Sequence, residues 1–315
     1  MIIRIWGVRG SSPVPLSPGE LQKKINAVIN LVKPDDLIND ASKQRFLANL
    51  PPDIRTTVGG NTACIEVRTA KNRVLLLDMG TGLREFEKHR IHSSEKIDEY
   101  HIFLTHFHYD HLHGLPFFSP LYNPQVQVHF YSSLPLAEKF FSQFMAEPYH
   151  PVGWDSFTAK IDFHILQEGE QMQIDSASIS WIPRVHPGGA IAYKIVDNDR
   201  IMIYSTDTQL SEKDFQKTPQ NLSFFQGADL IIHDAQYTID EAIAKYDWGH
   251  SSYSHAVGFA REFGIKKLLL FHHDPMNSDT KLEDILQSAR LLNSRLKNST
   301  DMEVDIAREG MEIEL

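Results

Sequence analysis

The segment His106-Phe107-His108-Tyr109-Asp110-His111 carries three imidazoles and a carboxylate in six consecutive residues. Imidazole nitrogen and carboxylate oxygen are donors that zinc and related divalent ions accept. His106 and His108 alternate, so on an extended chain they lie on one side. Asp110 and His111 follow where the chain turns. The loop is too rich in donors for one structural ion, yet a tetrahedral ion stays short of ligands unless others arrive from far along the chain. Three residues are candidates, and each closes an apolar run: His186 after ISWIPRV, Asp207 after IMIYST, and His272 after KLLLF. His273 is the rival to His272. His272 directly follows the run, and His273-Asp274-Pro275 reads as the loop beyond it.

Such donors need a scaffold that ends several strands at one place. Residues 2–6, 62–69, 73–78, 100–105 and 126–131 read as strands, as do 163–166, 179–185, 190–196 and 200–205. After a strand at 230–233 come a helix near 255–263, a strand over 267–271, a helix over about 282–296 and a short strand near 303–307. Apolar residues at Leu21, Ile25, Val28, Ile29 and Val32 predict a helix over 18–32, and 42–50 reads as a second, stopped by Pro51 and Pro52. Helices are also expected over 81–90 and 134–145. Two batches of strands, each followed by helices, predict an α+β fold with two β-sheets flanked by helices in four layers, αββα. No repeat or linker divides the chain. Residues 1–315 are read as one domain with a helical insertion at about 16–53, whose apolar face is expected to pack on the core, with a lid or a dimer contact as the alternatives.

The bulk properties narrow the partners. With 42% hydrophobic and 23% charged residues the chain can bury a sizeable core. A net charge of −10 argues against the broad basic face that extended nucleic acid requires. The single cysteine, Cys64, lies in the apolar pattern Ala63-Cys64-Ile65 and is expected in the core. The opening MIIRIWGVRGSSP has no basic flank followed by a long apolar run, and no stretch is apolar enough to span a bilayer. A cytoplasmic location without membrane contact is therefore expected.

The order HxHxDH, then His186, Asp207 and His272, resembles the metallo-β-lactamase superfamily over nearly all of the chain outside the insertion. The resemblance implies a binuclear metal-dependent hydrolase. One divalent ion would take His106, His108, His186 and Asp207. The other would take Asp110, His111, Asp207 and His272, with Asp207 and a hydroxide between them. Zinc is the expected metal, with manganese or iron as alternatives. The segments DLIIHDAQYT and GHSSYSHAVGFAREFGIKKLLLFH resemble the ribonuclease Z-like branch. That resemblance implies that His250 protonates the leaving oxygen and that Asp234, where related enzymes often carry glutamate, orients it. Ribonuclease Z carries a long arm between the ligands matching His186 and Asp207. Here the intervening residues read as two strands and a turn, with no room for it.

WGVRGSSP, GGNTACIEV, LDMGTGLR and HPGGAIAYKI resemble small-phosphodiester hydrolases of that branch. The resemblance implies a small, cyclic nucleotide-like phosphodiester as substrate. Arg9, Asn61 and Thr62 are candidates to grip its phosphate, with turn chemistry as the other use. Phe117, Phe118 and Tyr122 follow the metal loop; core packing is their expected use, stacking on a base the alternative. Asp110 is expected both to bind metal and to steer the hydroxide proton. Hydrolysis of a carbonyl ester, lactone or thioester on the same metals is an alternative activity, and a non-hydrolytic diiron or binding role is a third. A homodimer is a further expectation.

Overall fold

The computed structural model describes residues 1–296 and 301–315. Its strands form two sheets. The first contains β1 (Ile2–Gly7), β2 (Cys64–Arg68), β3 (Val74–Leu77), β4 (Glu99–Phe103), β5 (Gln127–Ser132), β6 (Lys160–Ile165) and the closing β14 (Glu312–Glu314), in the order β14-β1-β2-β3-β4-β5-β6. The second contains β7 (Gln171–Ile174), β8 (Ala177–Arg184), β9 (Ala190–Asp197), β10 (Arg200–Ser205), β11 (Leu230–Asp234), β12 (Lys267–Phe271) and β13 (Glu303–Ile306), in the order β13-β12-β11-β10-β9-β8-β7. Strands β3 to β6 pair parallel, and so do β10 to β13. The remaining pairs are antiparallel.

The helices are α1 (Pro18–Leu31), α2 (Asp40–Asn49), α3 (Pro52–Arg55), α4 (Leu83–Ser93), α5 (Ala137–Phe144), α6 (Pro219–Phe225), α7 (Ile239–Ala244), α8 (Tyr253–Glu262) and α9 (Asp279–Arg295). The expected αββα sandwich is present. Leu75, Leu77, Phe103 and Tyr131 of the first sheet meet Ile191, Tyr193 and Ile195 of the second in one buried core. The outer face of the first sheet, with Leu76, Tyr100, Ile102 and Phe130, is covered by Phe86 of α4 and Phe141 of α5. Helices α8 and α9 cover the second sheet with Val257, Phe259, Leu282 and Leu286. Each such side chain stabilises the fold by about 1.5–3 kcal/mol through removal from water.

Five short elements escape periodicity: α3, β7, α6, α7 and β14. None is long enough to show one. Cys64 is buried as expected. The insertion departs from expectation in its packing. Helix α1 starts at a capping box of Ser17 and Glu20, but none of its residues is buried, and Leu21, Ile25 and Ile29 face outward. It docks through a polar residue instead. Lys24 pairs with Asp279 at the start of α9 at 2.7 Å and donates to the carbonyls of Asp53 and Thr56. No helix among the described residues is long and apolar enough to cross a membrane.

Candidate metal centre

Parallel strands bring their carboxyl ends to one rim, where side chains from separate strands converge. Asp78 follows β3, the HFHYDH loop follows β4, Asp207 follows β10, Asp234 ends β11 and His272 follows β12. His186 joins them from the end of β8. Three of these strand ends adopt a left-handed backbone: Asp78 at φ 61°, Asp207 at φ 46° and His272 at φ 60°. For residues with a Cβ this costs about 1–2 kcal/mol each, the kind of strain that collects at functional sites. Gly10 permits the close approach of the first loop, since a Cβ there would lie 2.5 Å from the His272 ring.

All seven predicted donors come together. Ligating atoms of His106, His108, His186 and Asp207 lie within 4.8 Å of one another, and so do those of Asp110, His111 and His272. Asp207 is a member of the first set and also reaches the second. Its Oδ1 faces the first, 3.6 Å from Nε2 of His106 and of His186. Its Oδ2 faces the second, 3.1 Å from Nε2 of His111 and 3.2 Å from Nε2 of His272. One carboxylate thus spans two sites. His272 Nε2 also lies 3.1 Å from Asp110 Oδ2, whereas His273 turns away and contacts the Ala307 carbonyl through Nε2 at 3.0 Å.

The outer nitrogens of the rings are held from behind. Nδ1 of His111 meets Asp78 Oδ2 at 2.8 Å, that of His272 meets Gln236 Oε1 at 3.0 Å, that of His186 meets the Gly249 carbonyl at 2.9 Å, and that of His106 meets Thr105 Oγ1 at 3.1 Å. Such partners fix which nitrogen turns inward. Two of those inward atoms, Nε2 of His106 and of His111, are buried without a hydrogen-bond partner. Buried polar nitrogens are normally paired, and a divalent cation would satisfy both. Burial opposes charge on Asp207, yet His272, His111 and His106 hold it well below the usual carboxylate range. Asp110 is likewise held ionised against burial by His111 and His272. The residues present therefore fit two cations: five imidazoles, and two carboxylates kept anionic.

Asp78 is the residue that sequence reasoning missed. It is fully buried and accepts from Thr105 N at 2.8 Å, Thr105 Oγ1 at 2.9 Å and Tyr204 Oη at 2.9 Å as well as facing His111. Its signal was the one that marked Asp207, an acidic residue ending an apolar strand. The first loop reaches the centre through the Ser11 amide, which donates to Asp110 Oδ2 at 2.8 Å. Arg9 does not reach it. Its guanidinium is buried and donates to the carbonyls of Gly59 at 2.8 Å, Asn277 at 2.8 Å and Asp274 at 3.3 Å. Asn61 donates through Nδ2 to Glu309 at 3.0 Å. Buried Thr62 accepts the Thr81 amide at 2.9 Å. In the structure all three side chains, offered above as phosphate contacts, hold loops together.

Beside the centre, His250 Nδ1 meets Asp234 Oδ2 at 2.7 Å. Aspartate is long enough here because it is itself drawn in by the Ser251 amide at 2.9 Å. The His250 ring stacks on His272, with centroids 5.0 Å apart. Burial works against its charge, but the Asp234 carboxylate outweighs burial and raises its pKa above the ordinary histidine value. The Asp234 contact leaves Nε2 as the free nitrogen.

The fold and this site define a class, metal-dependent hydrolases with a His/Asp centre between two sheets. Residues 73–273 match the family described as "Beta-lactamase superfamily domain", and the chain belongs to the metallo-β-lactamase superfamily. Its sequence relatives lie in the ribonuclease Z-like branch. Ribonuclease Z from Archaeoglobus fulgidus is 25% identical over 262 residues, 69% of this chain and 82% of that protein. The crystal structure of zinc-bound PqqB from Methylobacterium extorquens superposes with a TM-score of 0.66 at 13% identity, over 100% of both chains. A diphosphatase from the PhnP family superposes with a TM-score of 0.61 at 18% identity, over 100% of this chain and 97% of that one.

Proposed function

We propose that this hydrolase is a phosphodiesterase acting on a small, cyclic nucleotide-like phosphodiester. The observation that carries the reading is the His250–Asp234 pair beside the metal centre. A phosphodiester expels an alkoxide, a poor leaving group that benefits from a proton donor. A carboxylate 2.7 Å from Nδ1 stabilises the charged imidazolium and points the free nitrogen at that oxygen. Thioester and activated-ester hydrolysis has no comparable need.

His106, His108, His186 and Asp207 would hold one ion, and Asp110, His111, His272 and Asp207 the other. When bound, the two cations supply an activated water and neutralise the phosphoryl oxygens. Asp110, fixed by the Ser11 amide, presents a carboxylate oxygen at the centre that can accept the proton of the attacking water. His250 delivers its proton to the departing oxygen, and Asp234 keeps the ring turned for that transfer.

The size of the substrate is argued from one hairpin. Strands β9 and β10 are joined by Asn198 and Asp199, both with positive φ, a tight two-residue connection. The segment between His186 and Asp207 thus carries no arm for a folded RNA. The sequence relative above, a ribonuclease, supports chemistry at phosphorus.

The test is hydrolysis of bis-p-nitrophenyl phosphate and of 3′,5′-cyclic AMP, with zinc or manganese added, by wild type and His250→Ala. Cleavage of both, with a roughly 10²–10⁴-fold loss in the variant, is expected. The loss should be steeper for the cyclic nucleotide, whose alkoxide leaves less readily than p-nitrophenolate. His250, Asp207 and His272 also come within ligand range of one another. Metal content separates the roles: a proton donor leaves the variant with two bound ions, whereas a ligand leaves it with fewer. Cleavage of esters or thioesters alone would refute the substrate class.

A further inference from the structure

A cavity of about 610 Å³ lies against the outward side of the metal loop, a volume ordinary for a small-molecule site. Phe107 and Tyr109 alternate with the donors of that loop and turn away from the centre into this cavity. Phe117, Phe140, Phe144 and Tyr149 complete its aromatic wall. Three of these rings are open to solvent: Tyr109 is 68%, Phe117 70% and Tyr149 82% exposed. Phe118 is buried in the core as expected, but its neighbour Phe117 is not, so core packing does not account for it. Among the described residues the cavity has no Asp, Glu, Lys or Arg in its lining. Its polar groups are Gln143, His113, His150 and the hydroxyls of Tyr109 and Tyr149, which can each give or accept a hydrogen bond. Aromatic walls with a few hydrogen-bonding groups suit a planar, uncharged heterocycle. They do not suit a phosphate or an acyl chain with a charged end.

We infer that this cavity is the subsite for the base of the substrate, a nucleobase stacked among Phe117, Tyr109 and Tyr149. The inference rests on the phosphodiesterase reading and names the group attached to the phosphate. Tyr109 stands between His108 and Asp110. A ring against it lies roughly 10 Å from the metal donors, given 3.8 Å between successive Cα atoms and two opposed side chains. A nucleoside spans that distance over the exposed edge formed by His108 and Tyr109. Stacking on aromatic side chains tolerates any base, so the subsite selects for the presence of a base more than for its identity.

The binding test uses adenosine, which has no phosphate, and the metal-free protein, followed by saturation-transfer NMR. Adenosine should bind wild type and bind Phe117→Ala about tenfold more weakly, the scale of one lost stacking partner. Phe117 is exposed, so the fold should survive, and Tyr149→Ala repeats the test at a second exposed ring of the lining. In hydrolysis, Phe117→Ala should raise KM for 3′,5′-cyclic AMP about tenfold more than for glycerol 1,2-cyclic phosphate, which has no base. Absence of adenosine binding at millimolar concentration overturns the subsite, as does an equal KM effect on the two diesters. Loss of a dimer in both variants with adenosine binding unchanged also overturns it and assigns the face to a second copy of the chain. If wild type hydrolyses neither diester, the phosphodiesterase reading fails, while the NMR result still decides whether the cavity takes a base.

Discussion

Asp78→Asn isolates the carboxylate that stands behind His111. The substitution keeps the size of the side chain and its contact with the Thr105 amide. It places an NH₂ group where Oδ2 now faces His111 Nδ1 at 2.8 Å and Tyr204 Oη at 2.9 Å. Two donors then oppose each other, unless His111 moves its proton to Nε2, the atom that must stay bare to bind a cation. A mispaired buried hydrogen bond costs about 1–3 kcal/mol. That matches the roughly 10–100-fold loss of metal affinity expected when the partner behind a ligand is changed. The assay is zinc titration against a competing chromogenic chelator, with circular dichroism to confirm the fold. Binding should resolve into two steps. The step assigned to Asp110, His111 and His272 weakens by that factor; the His106 step, which Asp78 touches only through Thr105, weakens less. Two unchanged affinities in a folded variant would show that Asp78 does not position His111.

Four further outcomes are expected. Asp234→Asn should lower kcat on cyclic AMP by about 10–100-fold with both ions retained, since it keeps the contact with His250 but removes the charge; pH–rate profiles would show the alkaline limb, where His250 loses its proton, shifted to lower pH. Arg9→Ala should leave KM for small diesters within twofold while destabilising the fold by about 3 kcal/mol, because the guanidinium serves three backbone carbonyls; a rise in KM without a fall in Tm would restore a phosphate role. Burial lowers His233 from 6.5 to about 4, so the folded state carries it neutral. Its contribution, about 3 kcal/mol, is present above pH 6.5 and is lost as pH falls toward 4, so the acid unfolding midpoint of metal-free His233→Gln should move to lower pH. Chelation should abolish hydrolysis and lower the melting temperature, with both restored by zinc or manganese; activity that survives complete chelation would refute the metal assignment.

The donor set was readable in the sequence because each donor stands beside a local signal. His106, His186, Asp207 and His272 all follow apolar runs, and parallel strands have only one rim at which such ends can meet. The sandwich itself followed from the order of strands and helices, which is a matter of local periodicity. Other features depend on contacts between residues far apart in the chain, which no local pattern encodes. Tertiary structure decided that His272 rather than His273 faces Asp207, through a left-handed turn at the end of β12. It also withdrew Arg9 into the carbonyls of Gly59 and Asn277, and gave Asp78 its place behind His111. Amphipathic spacing in α1 was visible in the chain, but spacing states only that a face is apolar, and the contact through Lys24 and Asp279 is what turned that face outward. The same holds for Phe117 and Phe118: adjacent and identical in type, Phe118 packs on Phe86 of α4 in the core, while Phe117 opens into the cavity beside α5.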